Sequence, residues 1–207
     1  MAEEKTREKP ATRRRMRGPE RRAQLLEVAR KVFGGHGFHT VTMDTVAREA
    51  GVTKPILYDH FPSKRELYLA LLEADLDLLR TRLHTALQAP TGNRQRIRAS
   101  FQAYFDFVDD HAEGFRLLMQ EAIGAEREFR EMVGQFRDEV LKEVAELILR
   151  ESRGNIERME AEALALGLIG MVETAAQQNP GDSKPKRRAA VNTLVRLAWK
   201  GISGLTL

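Results

Sequence analysis

Cysteine is absent from the 207 residues. That removes disulfide frameworks, thiolate nucleophiles and cysteine-based zinc sites together. Stability must come from packing, for which the length allows one or two domains with a substantial core, and the composition fits a reducing cytoplasm. Long apolar runs are missing too. None approaches the roughly 18 to 20 residues of a membrane span, and the charged N-terminus lacks the apolar core of a secretory signal. A soluble cytoplasmic protein with no membrane partner is expected.

No segment alternates convincingly as a strand, no internal repeat is visible, and neither a phosphate-cradling glycine motif nor a nucleophile–base pair stands out. His36 and His39 are too few for a metal site and read as solvated or capping groups in a glycine-rich connection. The acidic run Glu126, Glu128 and Glu131 reads as a solvated face. No catalytic residue, metal or cofactor is expected.

Charge is unevenly placed. Residues 1–68 carry 15 Lys and Arg against 9 Asp and Glu, whereas residues 69–207 carry 19 against 21. The N-terminal third is therefore the candidate partner of a polyanion. Residues 1–18 read as a basic disordered tail without hydrophobic periodicity. From Pro19, Leu25, Ala29, Val32 and Phe33 recur on one helical face, and the glycines at 34, 35 and 37 are expected to stop that helix. A second helix can start after Thr42 as cap, with Asp44 at its positive end. Gly51 supplies a turn, Thr53 can cap a third helix with Pro55 in its first turn, and Ser63 to Glu66 reads as a capping box for a longer fourth helix. Beyond a break at 90–93, helical patterns cover 97–108 and roughly 113–123, 127–152, 157–178 and 186–202. The expected fold is all-α.

Thr42 to Lys64, TMDTVAREAGVTKPILYDHFPSK, therefore presents two short helices about a tight turn at Ala50-Gly51-Val52. Val46, Val52 and Leu57 face inward, and Thr53, Lys54, Tyr58 and His60 face out. That is a helix-turn-helix, whose second helix can enter a major groove. The run AGVTKPILYDHFPSKREL (50–67) resembles the TetR (tetracycline repressor) family in its Ala-Gly-Val, Ser/Thr, Tyr-x-His-Phe and Ser-Lys pattern. The specific resemblance covers about residues 20–67; the rest matches in length and helical character.

The resemblance implies a three-helix DNA-binding domain at 19–66 and a larger helical ligand-binding and dimerisation domain at 67–207. It makes Lys54, Pro55 and Ile56 base-facing, lysine toward guanine O6/N7 and the apolar groups toward a thymine methyl. Thr42, Thr53, Tyr58, His60 and Lys64 fall at phosphate-holding positions. Asp59, a carboxylate near DNA, is expected to point away. The basic run Arg13, Arg14, Arg15 and Arg17 either reaches a minor groove as an arm or is a solvated tail.

Aromatic and methionine residues concentrate between 97 and 136. Phe101, Tyr104, Phe105, Phe115 and Met119, then Ile123, Phe129, Met132 and Phe136, with Met171 beyond them, are the candidates for an apolar ligand cavity. Each alone reads more readily as plain core, and a subset of them is expected to line the cavity. The stretch 161–176 is rich in small residues, with Ala163, Gly167 and Gly170 near helical spacing. It packs either within one subunit or, as the family pairs its last two helices into an intersubunit bundle, against a second copy. Leu194, Val195, Ala198 and Ile202 would supply the partner face.

The leading expectation is a transcriptional regulator, usually a repressor, working as a homodimer on a palindromic operator in double-stranded DNA. An unidentified small apolar or amphipathic molecule would release it. The alternative is a DNA-binding scaffold controlled by a protein partner without a small-molecule effector.

Overall fold

The computed structural model describes residues 18–112, 114–115, 127–178 and 184–205, and among these described residues eight helices have defined bounds. They are α1 (Gly18–His36), α2 (Met43–Glu49), α3 (Lys54–His60), α4 (Lys64–Leu87), α5 (Asn93–Asp110), α6 (Arg127–Ser152), α7 (Arg158–Gln178) and α8 (Lys184–Leu205). No strand occurs among the described residues. The tail arginines Arg13, Arg14, Arg15 and Arg17, the cavity candidates Met119 and Ile123, and most of the expected helix at 113–123 lie outside the described residues.

Helix α1 buries Leu25, Ala29, Val32 and Phe33. It runs through Gly34 and Gly35 rather than stopping there, and ends where Gly37 takes φ +76° and donates its N–H to the Phe33 carbonyl at 2.7 Å. Of these three glycines only Gly37 needs the left-handed backbone that glycine adopts without strain.

Local chemistry sets the next two helices. The Thr42 hydroxyl caps α2 by accepting from the Thr45 N–H at 3.2 Å. At the other end Gly51, at φ +63°, donates to the Arg48 carbonyl, and Val52 donates to that of Ala47. This crossed pair satisfies two carbonyls the helix leaves open, and it fixes the angle at which α3 departs. Thr53 stands at the N-cap of α3 but makes no side-chain cap bond; Pro55 in the first turn lowers the number of amides that need one. Ser63 caps α4 through the Glu66 N–H at 3.1 Å.

Helix α4 is the spine. It packs against α1 on one side and α5 and α6 on the others. Its buried positions, from Leu67 and Leu71 to Leu79 and Leu83, join a single apolar cluster that runs unbroken from Leu25 in α1 to Ala198 in α8. A satellite cluster closes α6 on α7, where Ala145 meets Ala161 and Ala165. No helix among the described residues is long and apolar enough to cross a membrane.

Candidate nucleic-acid interface and ligand cavity

Helix α3 keeps Leu57 and the following Phe61 inside, in the same apolar cluster as Val46 and Ala47 of α2, and turns its other residues out. Thr53, Lys54, Pro55, Ile56 and Tyr58 are all exposed, and Ile56 and Tyr58 each show 39% of their surface. A large aliphatic and a phenol left in water beside a lysine form a surface suited to base edges and backbone. Lys54 is not free in solution: its ammonium lies 2.8 Å from Asp44 at the start of α2. That bond raises the lysine above its ordinary value, so it stays charged. His60 is half-buried and Asp59 is exposed.

Lys64 is placed otherwise than the resemblance implies. Its ammonium donates to the carbonyls of Phe38 and Val41, at 3.0 Å each, and sits 4.5 Å over the Phe38 ring. A third carbonyl, of His39, stands at 3.5 Å. Its three donors are thus directed at protein oxygens, and Lys64 ties the start of α4 to the connection that carries Thr42. Sequence reading missed this because the acceptors are backbone groups more than twenty positions away. It also missed Arg22, whose guanidinium covers the Phe61 ring at 4.5 Å where α3 ends.

A cavity of about 370 Å³ opens in the larger part of the chain. Leu83 and Leu87 of α4, Ile97 and Phe101 of α5, and Leu164 and Leu168 of α7 form much of its apolar wall. Helix α6 runs its length: Phe136, Val140, Val144 and Ile148 face in, and polar groups stand at both ends. At one end Arg137 pairs with Glu173 at 2.7 Å, beside Tyr104. At the other Arg96 and Asn93 hold Glu151, at 2.8 and 3.2 Å, near Arg153 and Asn155. Residues 137 and 151 lie about 20 Å apart at the helical rise. The cavity is thus a slot, apolar between two polar ends.

Electrostatics differ between those ends. Burial holds the Glu173 carboxyl above its ordinary range, opposed by Arg137, and burial with the nearby Glu173 pushes the Tyr104 phenol up. Glu151, exposed, is instead pulled down by its bonds from Arg96 and Asn93. Both ends thus carry an ion pair, one with its carboxylate largely buried and the other at the surface. The Ser100 hydroxyl, buried in the wall, has no hydrogen-bond partner among the described residues.

Of the residues the sequence put forward for this cavity, Phe101, Tyr104 and Phe136 line it. Phe105, Phe115, Phe129, Met132 and Met171 do not. Phe129 is the clearest correction. Its ring packs edge-on to Phe38 at 5.3 Å and against Tyr68 at 4.9 Å, and Phe33 completes the cluster. This residue of α6 belongs to the aromatic core beneath the helix-turn-helix, and the adjacent Glu128 pairs with Arg65 of α4. Met132 and Met171 pack half-buried against the main core, and Phe105 and Phe115 are buried in it.

The small residues of α7 divide by face. Ala161 and Ala165 turn inward onto Ala145, while Ala163 and Gly167 are exposed and Gly170 is half-exposed. They share that outer side with Met159, 74% exposed, and Leu166, 57% exposed. On α8, Val195 and Ala198 are buried in their own protomer, so they cannot also form a partner face; Leu194 is half-buried. Leu197, 63% exposed, is the large apolar residue that this helix turns outward instead. The side chain of Ile202 lies outside the described residues.

A helix-turn-helix whose supporting helix continues as the wall of an apolar cavity defines a DNA-binding transcriptional regulator. Residues 25–71 match the family described as bacterial regulatory proteins, tetR family, and residues 93–201 match the tetracyclin repressor-like C-terminal domain. The HTH-type transcriptional activator FasR of Mycolicibacterium smegmatis is 38% identical over 189 residues, covering 91% of this chain and 85% of that protein. A TetR-like transcriptional regulator from Rhodococcus sp. RHA1 superposes with a TM-score of 0.76 at 28% identity, over 92% of this chain and 100% of that one. AibR, solved with isovaleryl coenzyme A and operator DNA, shares the fold at a TM-score of 0.70 and 20% identity, over 86% and 97% of the two chains. The chain belongs to the TetR family of transcriptional regulators.

Proposed function

We propose that the protein binds a palindromic operator as a homodimer and leaves it when an elongated amphipathic molecule, an acyl thioester or acid, fills the cavity. The observation that carries this is the course of α6. Two turns separate Phe136, in the cavity wall, from Phe129, in the aromatic core under the helix-turn-helix. A ligand that shifts α6 therefore acts directly on the unit that holds α3, and it needs only to prefer the shifted arrangement. The slot suits an acyl chain between its polar ends, with an anionic head at Arg96 and Arg153. The fold-sharing AibR was solved with an acyl coenzyme A and its operator. A scaffold without effector gives no reason for such a cavity.

Lys54, Pro55 and Ile56 would read bases, while Thr42, Thr53, Tyr58 and His60 hold phosphates. Residues 19–66 read DNA; residues 67–207 bind the ligand and pair through the exposed face of α7 and Leu197. Release relieves repression where the operator overlaps the promoter, and ends activation where it lies upstream, the mode for which FasR is named.

The test is a titration of isovaleryl-, octanoyl- and palmitoyl-coenzyme A against a selected operator, with thermal stabilisation followed in parallel. Stabilisation with a 5- to 150-fold loss of operator affinity is the expected range for such coupling, roughly. Stabilisation without loss of operator affinity removes the coupling. Tyr58→Phe should weaken every operator by a similar factor, since a phosphate contact carries no base information.

A further inference from the structure

We infer that the Arg30–Asp75 pair is a positioning clamp that sets operator affinity, and that Gly114 and Phe115 connect it to Tyr104 in the cavity wall. The clamp stands on its own geometry; only its control by ligand rests on the effector reading above.

Arg30, on α1, gives both Nε–H and Nη2–H to one oxygen of Asp75, at 2.9 and 2.6 Å. Asp75 is fully buried on α4. Three residues further along α1, Phe33 meets Tyr68 of α4 edge-on at 5.0 Å. Tyr68 and Asp75 are seven residues apart, about 10 Å along the helix. Two contacts at that separation fix the rotation of α1 on α4 as well as its position. Helix α1 packs on α2, so its angle decides where the helix-turn-helix stands.

The second oxygen of Asp75 faces Gly114. A β-carbon at 114 would collide with Asp75 Oδ2 and its carboxyl carbon, so residue 114 and the carboxylate fix each other's position. The next residue, Phe115, is buried and sits edge-on to Tyr104 at 6.2 Å. Tyr104 lines the cavity. From cavity to α1 the contacts are therefore Tyr104, Phe115, Gly114, Asp75 and Arg30, with no exposed side chain among them.

A buried ion pair suits this position because it does not yield gradually. Separating it leaves the Asp75 carboxylate without a partner in a low-dielectric interior, although Arg30 keeps Glu27, so intermediate positions are disfavoured. Two discrete arrangements are what coupling between distant sites requires.

The experiment is a double-mutant cycle in the full-length, ligand-free protein, using Gly114→Ala, Asp75→Asn and their combination, with melting temperatures measured first. Each single change should weaken operator binding by roughly tenfold, within the range of ordinary allosteric coupling. The double change should add nothing, because both act on one clamp. Wild-type affinity in both single variants, or full additivity, overturns the clamp. Should Gly114→Ala fail to fold, Asp75→Asn carries the test, read by hydrogen exchange of the α1 amides: faster exchange supports the clamp and unchanged exchange overturns it.

Phe115→Leu tests the link to the cavity with octanoyl-coenzyme A as probe. It should bind the probe as wild type does and keep its ligand-free operator affinity, yet lose the response. Equal release by Phe115→Leu and wild type overturns the link and leaves the effector reading intact. A wild type that does not bind the probe counts against that reading, and the ligand-free cycle still decides the clamp.

Discussion

The Lys54 ammonium stands 2.8 Å from the Asp44 carboxylate, tying the first residue of α3 to the first turn of α2. Both groups are exposed, and exposed pairs stabilise little, so the bond orients the lysine more than it holds the fold. Asp44→Asn should raise affinity for non-specific DNA and steepen its salt dependence, since an unrestrained lysine reaches phosphates. Lys54→Ala should relax preference at one base pair by about tenfold. Anisotropy titrations against singly substituted operators check both. Unaltered base preference in Lys54→Ala would remove it from base reading.

Val195 and Leu197 are near neighbours on α8 with opposite surroundings, one buried and the other 63% exposed. Val195→Ala should cost roughly 2 to 3 kcal/mol of folding stability, from lost burial and the cavity left behind. Leu197→Asp should leave the melting of the protomer near wild type and convert the dimer to a monomer on sizing columns. A Leu197→Asp protein that remains dimeric would place the interface elsewhere.

Phe129 and Phe136 lie on one face of α6, two turns apart, and serve different ends of it. Phe129→Ala should destabilise the protein by about 3 to 5 kcal/mol and weaken operator binding, with ligand affinity measured below the melting range unchanged. Phe136→Ala should instead change ligand affinity. Calorimetry of ligand binding to the two variants separates them, and a reversed pattern would return Phe129 to the cavity.

Burial raises the Glu173 carboxyl above its ordinary 4.5, against the pull of Arg137. A carboxyl raised in the folded state contributes stability that is complete below the unfolded value and is lost as pH rises through the folded one. The stability of wild type relative to Glu173→Gln should therefore fall as pH rises above about 4.5 and then level off. Urea midpoints across that window measure it. A difference that grows with pH would mean a carboxyl lowered by Arg137 instead.

The connection from α1 to α4 shows how far local reading goes. Thr42, Gly51 and Ser63 are legible because each acts on backbone within three or four residues of itself. Thr53 shows the limit, since the right residue at the right position forms no side-chain cap bond. The aromatic density of α5 and α6 signals a core, but periodicity gives a face without saying which neighbour covers it. Phe129 could therefore be assigned to the wrong compartment, and Val195 and Ala198 to the wrong side of α8.

By itself the sequence determined the all-helical architecture, the helix-turn-helix and the family, because caps, turns and the motif at 50–67 are written in contiguous residues. Only the tertiary structure decided which side chains meet across the chain. Arg30 finds Asp75 forty-five positions away, Lys64 turns to the carbonyls of Phe38 and Val41, and α6 joins the cavity to the DNA-binding core. Those partnerships depend on the rotation of each helix about its axis, which is set when all the apolar faces are buried together and cannot be read from any one of them.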